Sequence, residues 1–174
     1  MNAVSHRPAS ADDIAALARL GEESFVAKFG HLYRQQDLDV FLDEAFSPRA
    51  IAAEMANPAR LYRLAEVDGN LAGYCKLGLV CGFPEHAQGS RTIELKQLYT
   101  APGMTGHGIG TQLLNWAIEL ARERGYDEMQ LSVWSENHDA QRFYARHGFA
   151  KVADVTFRVG EHIDEEFLFS RLLG

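Results

Sequence analysis

Long apolar runs are missing from the sequence. None approaches the ~18 residues that a helix needs to cross a bilayer, and the N-terminal stretch MNAVSHRPAS has no apolar segment of the signal-peptide type. We therefore expect no membrane partner and a cytoplasmic location.

Positive charge and cysteine are also scarce. Seventeen lysines and arginines stand against 24 aspartates and glutamates, which gives a formal net charge of -7. Nucleic-acid affinity comes mainly from clustered Lys and Arg facing phosphates, so nucleic acid is not an expected partner. The two cysteines, Cys75 and Cys81, lie in apolar sequence with no histidine at zinc-ligand spacing. We expect them to be buried free thiols, and we expect no metal site.

What the sequence does contain is typical of one globular domain. Hydrophobic residues make up 47% of the chain and charged residues 24%, which excludes a disordered or collagen-like class. Residues 1–174 are enough for one sizeable core and few for two. The hydrophobic periodicity predicts three helices, three strands, a helix, a strand, a helix and two strands, in that order. This order predicts an α/β fold in which a mixed sheet is covered by helices.

A glycine-rich loop lies between a predicted strand and a predicted helix. Its glycines are Gly103, Gly106, Gly108 and Gly110. Ordering glycine costs conformational entropy, so such a cluster indicates that a ligand comes close to the backbone, and the free amides at a helix N-terminus favour a phosphate. A P-loop would need Lys and then Ser or Thr where Ile109 and Gly110 stand, and a dinucleotide fingerprint would need glycine in place of Thr111. We therefore expect neither of these nucleotide-binding classes.

Two segments resemble signatures of the GCN5-related N-acetyltransferase superfamily. LKQLYTAPGMTGHGIGTQLL resembles its acetyl-CoA-binding segment, whose pattern is Gln or Arg, two residues, Gly, one residue, and Gly or Ala, with Gly108 and Gly110 as the glycines. LSVWSENHDAQRFYARHGFAKV resembles its second signature of a strand, an Asn, an Ala, a paired aromatic and a Gly-Phe. Thr105 occupies the Gln or Arg position, so a long side chain that would help neighbouring phosphates is missing. The resemblance covers residues 61–159 well and the N-terminal helices loosely.

The resemblance implies acetyl-CoA as cosubstrate and a mostly antiparallel, twisted sheet whose central strands splay apart. The pantetheine arm would pair with the main chain of the first of these strands, and the loop amides would bind the phosphates. The residues implied to bind the cofactor are Leu98, Tyr99, Thr100, Thr105, Gly106, His107, Gly108, Ile109, Gly110, Thr111, Asn137 and Tyr144. Asn137 is alternatively a helix cap, and both roles are compatible. His107 is alternatively a solvated loop side chain.

Glu94 is the predicted general base. An alkylamine is mostly protonated at neutral pH, so a carboxylate must favour the free amine, and Glu94 is the only acid on the strand that the family places beside the thioester. The alternative is a strand glutamate paired with a lysine. Strict alternation puts Glu94 on the same face as Lys96 and Leu98, opposite Ile93, Leu95 and Gln97.

Tyr144 resembles the family's general acid in position. A thiolate leaves more easily when it receives a proton as it departs, and the tyrosine hydroxyl would donate that proton. The alternative is that Tyr144 packs beside Phe149. With Glu94 as base and Tyr144 as acid, the expected reaction is direct transfer of the acetyl group in a ternary complex.

The early helices form the acceptor wall in this superfamily. In SFVAKFGHLYRQQDL, Phe29, His31 and Tyr33 are predicted to bind the acceptor, with core packing as the alternative for Phe29. This stretch is similar to a branch that acetylates polyamines and related small amines, so we expect a small primary amine such as a polyamine. Dimers are common in the superfamily, and a homodimer is compatible with the resemblance.

Two other functions stay open at this point. A non-catalytic module that senses acyl-CoA or scaffolds a partner is favoured by Thr105 and opposed by the presence of Glu94 and Tyr144. A protein N-terminal or lysine acetyltransferase has the same signatures, because the segments that select the acceptor are the least informative.

Overall fold

The computed structural model describes residues 3–174, in which five α-helices accompany seven β-strands. The helices are α1 (Ile14–Phe29), α2 (Gln35–Phe46), α3 (Pro48–Ala56), α4 (Ile109–Glu123) and α5 (His138–Arg146). The strands are β1 (Val4–Pro8), β2 (Arg60–Val67), β3 (Asn70–Gly78), β4 (Thr92–Thr100), β5 (Glu128–Trp134), β6 (Ala150–Val159) and β7 (His162–Leu172). The predicted order of elements is confirmed, with β1 added before it.

The strands form a single sheet in the order β1-β2-β3-β4-β5-β7-β6. Neighbouring strands are antiparallel except β4 and β5, which are parallel. Parallel neighbours need a crossover connection, and the amphipathic helix α4 supplies it. The expected mixed, mostly antiparallel α/β fold is thus confirmed.

Helices cover both faces of the sheet and bury one apolar cluster on each. Leu113 and Ala117 of α4 are fully buried in the first cluster, which also contains Phe149, the residue before β6. Phe46 and Ile51, from α2 and α3, are about 1% exposed in the second cluster, which α1 completes. A ligand that crosses the sheet therefore has to pass between two strands.

The ladder between β4 and β5 is short. It pairs Thr92 to Glu94 with Glu128 to Gln130 and extends no further. β4 continues to pair with β3 as far as Thr100, while β5 continues to pair with β7 as far as Trp134. The two central strands therefore splay apart at their C-terminal ends, as the resemblance implied.

A β-bulge at Lys96 changes the faces of β4. The register with β3 shifts so that Leu95 and Gln97 occupy consecutive positions and Lys96 is the extra residue. Leu98 consequently packs in the same cluster as Ile93 and Leu95, so the predicted strict alternation was wrong beyond this point. Gln97 lies on the other face, where it accepts a hydrogen bond from the Tyr74 hydroxyl at 2.8 Å.

Gly73 of β3 lets the N-terminus of α4 approach the splayed strands. A Cβ at this position would lie 2.8 Å from Cγ2 of Ile109 and 2.8 Å from the carbonyl oxygen of Tyr99. Both distances are shorter than real Cβ atoms allow. The absence of a side chain therefore fixes how closely the glycine loop lies to β4.

The N-terminal region differs from the expectation in two details. β1 was not predicted, because its polar sequence VSHRP has no alternating apolar face, and it is held by main-chain pairing to the edge strand β2. The first helix is preceded by a 3₁₀ turn, Ala11–Asp13. There the Ser10 amide donates to the Asp13 carboxylate at 2.7 Å, as a capping residue pair does.

Candidate active site

The glycine loop has the backbone that a phosphate site requires. Gly103, Gly106 and Gly108 have φ of 83°, 85° and 76°, in the left-handed region that favours glycine. An added Cβ at any of them would meet no atom within 4 Å, so the space over the loop is open. The loop therefore combines an uncommon backbone with an accessible concave surface.

The first amides of α4 point toward this open space. Gly108 is the N-cap, and its carbonyl receives the first helical hydrogen bond from the Gln112 amide at 3.0 Å. The amides of the three intervening residues lie ahead of the helical ladder, where they and the helix dipole favour an anion. The Ile109 side chain is about 1% exposed in the core, so only its main chain can contribute. This geometry fits the pyrophosphate of coenzyme A.

Two cavities meet where β4 and β5 separate. The loop cavity is lined by Thr100, Thr105, Gly110 and Phe143 together with residues of α1, β5 and α5. The aromatic cavity lies toward α1 and α2. The side chains that line both are Lys28, Phe29, Leu98, Trp134, Asn137, Ala140 and Tyr144. A continuous path therefore leads from the glycine loop through the gap in the sheet.

Tyr144 lies at the junction of the two cavities. Its ring packs against Phe143 and Phe149 at centroid distances of 5.2 and 5.9 Å, so the packing contact expected as the alternative is also present. Burial raises the pKa of the phenol, which keeps its proton in place at neutral pH. Tyr144 therefore holds a neutral phenol at the gap, and its role as general acid stays a prediction.

Asn137 is both the cap of α5 and a residue of the cavities. Its Oδ1 accepts a hydrogen bond from the Ala140 amide at 3.2 Å, and the residue lines both cavities. The cap holds α5, and with it Tyr144, against the open side of β5.

Some of the predicted cofactor residues lie elsewhere. Gly106 and His107 line a separate cavity on the other side of the loop, beside the β2–β3 turn, and the His107 side chain is exposed. Thr105 is exposed and lines the loop cavity. Thr111 is half-buried in the first turn of α4. Tyr99 lines the aromatic cavity but not the loop cavity.

Glu94 lies at the end of β4 that is paired with β5, and it does not itself line either cavity. Its carboxylate accepts a hydrogen bond from the Gly82 amide at 2.8 Å and lies 3.4 Å from Nζ of Lys96. The residue is 7% exposed. These contacts match the alternative of a structural glutamate paired with a lysine, and its role as base stays a prediction.

A carboxylate that sequence reasoning missed does line the aromatic cavity. Glu166 of β7 faces Trp134 of β5 across the ladder. Burial, with a further contribution from the charge of Asp164, raises the pKa of Glu166 to about 7, against a hydrogen bond with the Ser132 side chain that lowers it. In the sequence Glu166 belongs to the acidic run DEE, which looks like a solvated surface. Only the pairing of β7 in the sheet shows that Glu166 faces inward while Glu165 is exposed.

Aromatic rings form the wall opposite the gap. Phe29 contacts Trp134 edge-on at 6.0 Å, and Tyr33 stacks on Phe25 at 5.9 Å. The Tyr33 hydroxyl donates a hydrogen bond to Asp164 of β7. Phe29 and Tyr33 thus lie in the predicted pocket, but His31 is exposed on the short turn after α1 and does not line it. His31 therefore lies outside the pocket, although it stands between Phe29 and Tyr33 in the sequence.

The two cysteines differ from each other. Cys75 is a fully buried free thiol, and burial raises its pKa to about 12, as expected for a structural residue. Cys81 is free but only half-buried, and its thiol donates to Oε1 of Gln130 at 2.8 Å.

Within residues 3–174 no three His, Cys, Asp or Glu side chains lie together in a way that could hold a metal ion. No helix in the same range combines the length and apolarity that crossing a membrane requires.

A split mixed sheet with a glycine loop at one end of the gap defines the acetyltransferase class of fold. The sequence matches the model of the Acetyltransferase (GNAT) family over residues 22–149. The chain therefore belongs to this family. Membership confirms the superfamily and enzyme class expected from the two signatures, with acetyl-CoA as cosubstrate.

Individual relatives cover nearly the whole chain. An uncharacterized N-acetyltransferase of Mycobacterium tuberculosis is 30% identical over 163 residues, which are 94% of this chain and 97% of that protein. Spermidine N(1)-acetyltransferase of Thermoplasma acidophilum is 26% identical over 153 residues, with coverage of 86% and 89%. The crystal structure of the PaiA N-acetyltransferase of Thermoplasma acidophilum in complex with coenzyme A has a TM-score of 0.78 at 22% identity, covering 98% of this chain and 99% of that one. This last similarity shows the fold.

Proposed function

We propose that the protein transfers an acetyl group from acetyl-CoA directly to the primary amine of a small molecule such as a polyamine. The observation that carries the proposal is the continuous path from the glycine loop, through the gap between β4 and β5, into the aromatic cavity. A donor bound along the loop and an acceptor bound among the rings would meet at Tyr144. Direct transfer needs such a meeting point and no enzyme nucleophile.

The donor side is assigned to main-chain groups. The α4 amides and the open glycine loop would bind the pyrophosphate, and the free edge of β4 at Leu98 to Thr100 would pair with the pantetheine arm. The bound thioester supplies the activated acetyl group. Because amides bind the anion without a side-chain charge, this arrangement compensates for Thr105 in the position where the family has Gln or Arg.

The acceptor side favours a cation. An ammonium group near the faces of Phe29, Tyr33 and Trp134 gains cation–π attraction, and Glu166 supplies a carboxylate in the same cavity. The net charge of -7 favours cationic ligands over anionic ones at long range. The spermidine acetyltransferase among the relatives supports a polyamine, while the aromatic wall also suits amines with an apolar body.

In this proposal Tyr144 is the general acid. Its hydroxyl keeps its proton at neutral pH because burial raises its pKa, and it lies where the donor and acceptor paths join. The departing thiolate would take that proton, which favours cleavage of the C–S bond.

The test is an acceptor screen with purified protein. Release of the coenzyme A thiol is followed with polyamines, aralkylamines, aminophosphonates and short peptides, and each product is identified by mass spectrometry. We expect acetylation of small primary amines. Binding of acetyl-CoA by calorimetry without transfer to any acceptor would instead support the sensor module, and acetylation restricted to peptides would support a protein acetyltransferase.

A further inference from the structure

We propose that Glu166 is the catalytic base that takes the proton from the acceptor ammonium. This inference rests on the proposed function and adds a catalytic residue that the sequence motifs do not include. It replaces Glu94, whose carboxylate is bound to the loop after β3.

The two faces of the sheet separate the acid from the base. Trp134 and Glu166 are paired residues on β5 and β7, and Trp134 contacts Phe29 of α1, so this pair faces the N-terminal helices. Tyr144 packs with the cluster on the α4 side. Both Tyr144 and Glu166 nevertheless line the aromatic cavity, because it extends through the gap in the sheet. A carbonyl carbon in the gap would have the thiol leaving toward one face and the amine arriving from the other.

Other carboxylates near the cavity are already engaged. Asp164, two residues earlier on the same face of β7, accepts the Tyr33 hydroxyl and lies 3.0 Å from Nε2 of His162. Glu94 receives the Gly82 amide and contacts Lys96. The Ser132 side chain lies close enough to the Glu166 carboxylate to lower its pKa, and the carboxylate keeps acceptor capacity for an ammonium.

The surroundings of Glu166 set the pH range in which it works. The titratable groups that line the cavity with it, or lie next to it on the same face of β7, are Lys28, Tyr33, Lys96, Tyr99, Tyr144 and Asp164. The three tyrosines stay neutral near pH 7 because burial raises the pKa of each. Burial raises the pKa of Glu166 itself to about 7, so it is an effective base above that pH and still a stronger proton acceptor than an ordinary carboxylate.

The proton inventory of the step is closed. The C–N bond forms and the thioester C–S bond breaks. Of the three ammonium protons, one stays on the amide nitrogen and one goes to the Glu166 carboxylate, from which it passes to solvent. The third replaces the proton that the Tyr144 hydroxyl gives to the leaving sulfur.

The test compares three carboxylates by substitution. Glu166→Gln is expected to lower kcat/KM by ~10²–10⁴-fold and to remove the rise of kcat/KM with pH near 7. Glu165→Gln is the matched control, since it makes the same change one residue away on the exposed face, and its kcat/KM should stay within about twofold of wild type. Glu94→Gln should keep the ionisation near pH 7. If Glu94→Gln loses that ionisation while Glu166→Gln retains it and stays active, the inference is overturned in favour of Glu94.

A second measurement needs no cosubstrate. A carboxyl group whose folded pKa is raised holds its proton in the folded state, so stability decreases as pH rises from about 4.5 to about 7. The difference in unfolding free energy between wild type and Glu166→Gln should change over this range and be constant above and below it. No change in that range means an ordinary pKa and contradicts the inference. If wild type acetylates no amine, the proposed function fails, while this titration still decides whether Glu166 has the required pKa.

Discussion

Replacing Tyr144 by Phe removes a single hydroxyl from the junction of the two cavities. The ring contacts with Phe143 and Phe149, at 5.2 and 5.9 Å, are kept by phenylalanine, so little loss of packing is expected. What is lost is the donor to the leaving thiolate. General acid catalysis typically contributes ~10²–10⁴-fold, which corresponds to about 2.7–5.4 kcal/mol at about 1.36 kcal/mol per decade. We expect kcat to decrease by this factor.

The assay separates turnover from binding. Thiol release at saturating acetyl-CoA and amine gives kcat, and calorimetry with coenzyme A gives the affinity, which should change by less than about threefold because the phenol is not part of the phosphate site. The matched control is Tyr126→Phe. Its hydroxyl donates to the Leu79 carbonyl at 3.0 Å, outside both cavities, so it should cost about 0.5–1.5 kcal/mol of stability and leave kcat intact. Equal losses of affinity and kcat in Tyr144→Phe would mean that the residue packs against the cofactor, and unchanged kcat would refute the acid role.

Three further predictions concern the loop, the strand beneath it and the N-terminus. Gly108→Val should lower coenzyme A affinity at least ~10-fold in calorimetry, since its Cβ enters the open space over the loop. Gly69→Val is the control for backbone strain, because Gly69 has φ of 77° and is equally open but lies in the β2–β3 turn. This control variant should bind coenzyme A normally. Gly73→Ala should lower both the urea midpoint and the affinity, because its Cβ would lie 2.8 Å from a β4 carbonyl oxygen; unchanged values for both would refute the close approach. Asp13→Asn should destabilise the protein at neutral pH, since the hydrogen-bonded arginine beside it lowers the pKa of this carboxyl to about 2. That stabilisation is complete above about pH 4 and lost as pH falls through 2. The melting temperatures of wild type and variant should therefore converge as pH falls through this range, and a constant difference would contradict the prediction.

Features encoded locally were predictable from the sequence. The glycine loop can be recognised in the sequence because its glycines allow a backbone that other residues disfavour. Gly108, for example, is the N-cap of α4 in the left-handed conformation. Asn137 likewise caps α5 with its own side chain. Since each of these depends on neighbours in the chain, a short pattern contains the necessary information.

Features that depend on pairing between distant strands were not predictable. Nothing in IELKQLY marks Lys96 as a bulge, because the register is set by β3, and strict alternation therefore placed Leu98 on the wrong face. The inward orientation of Glu166 depends on the β5–β7 ladder. Strand β1 exists only as a partner of β2, so its own residues carry no pattern that would reveal it.

Distance along the chain was also a poor guide to position in the cavity. Phe29 and Tyr33 line it while His31, between them, is exposed. The turn after α1 changes the backbone direction there, so neighbouring side chains diverge. Glu94 lies on the expected strand, but at the end where β4 is still paired with β5, and so it does not line the cavity.

The short ladder between β4 and β5 makes the sheet two arms joined at a hinge of three residue pairs. One arm comprises β1 to β4 and the other β5, β7 and β6. Within residues 3–174, no ladder pairs β4 with β5 beyond Glu94 and Gln130. A molecule bound between the two arms would contact both and hold them together. Its binding would slow amide exchange along the distal half of β4. It would also raise the melting temperature in proportion to the logarithm of its concentration.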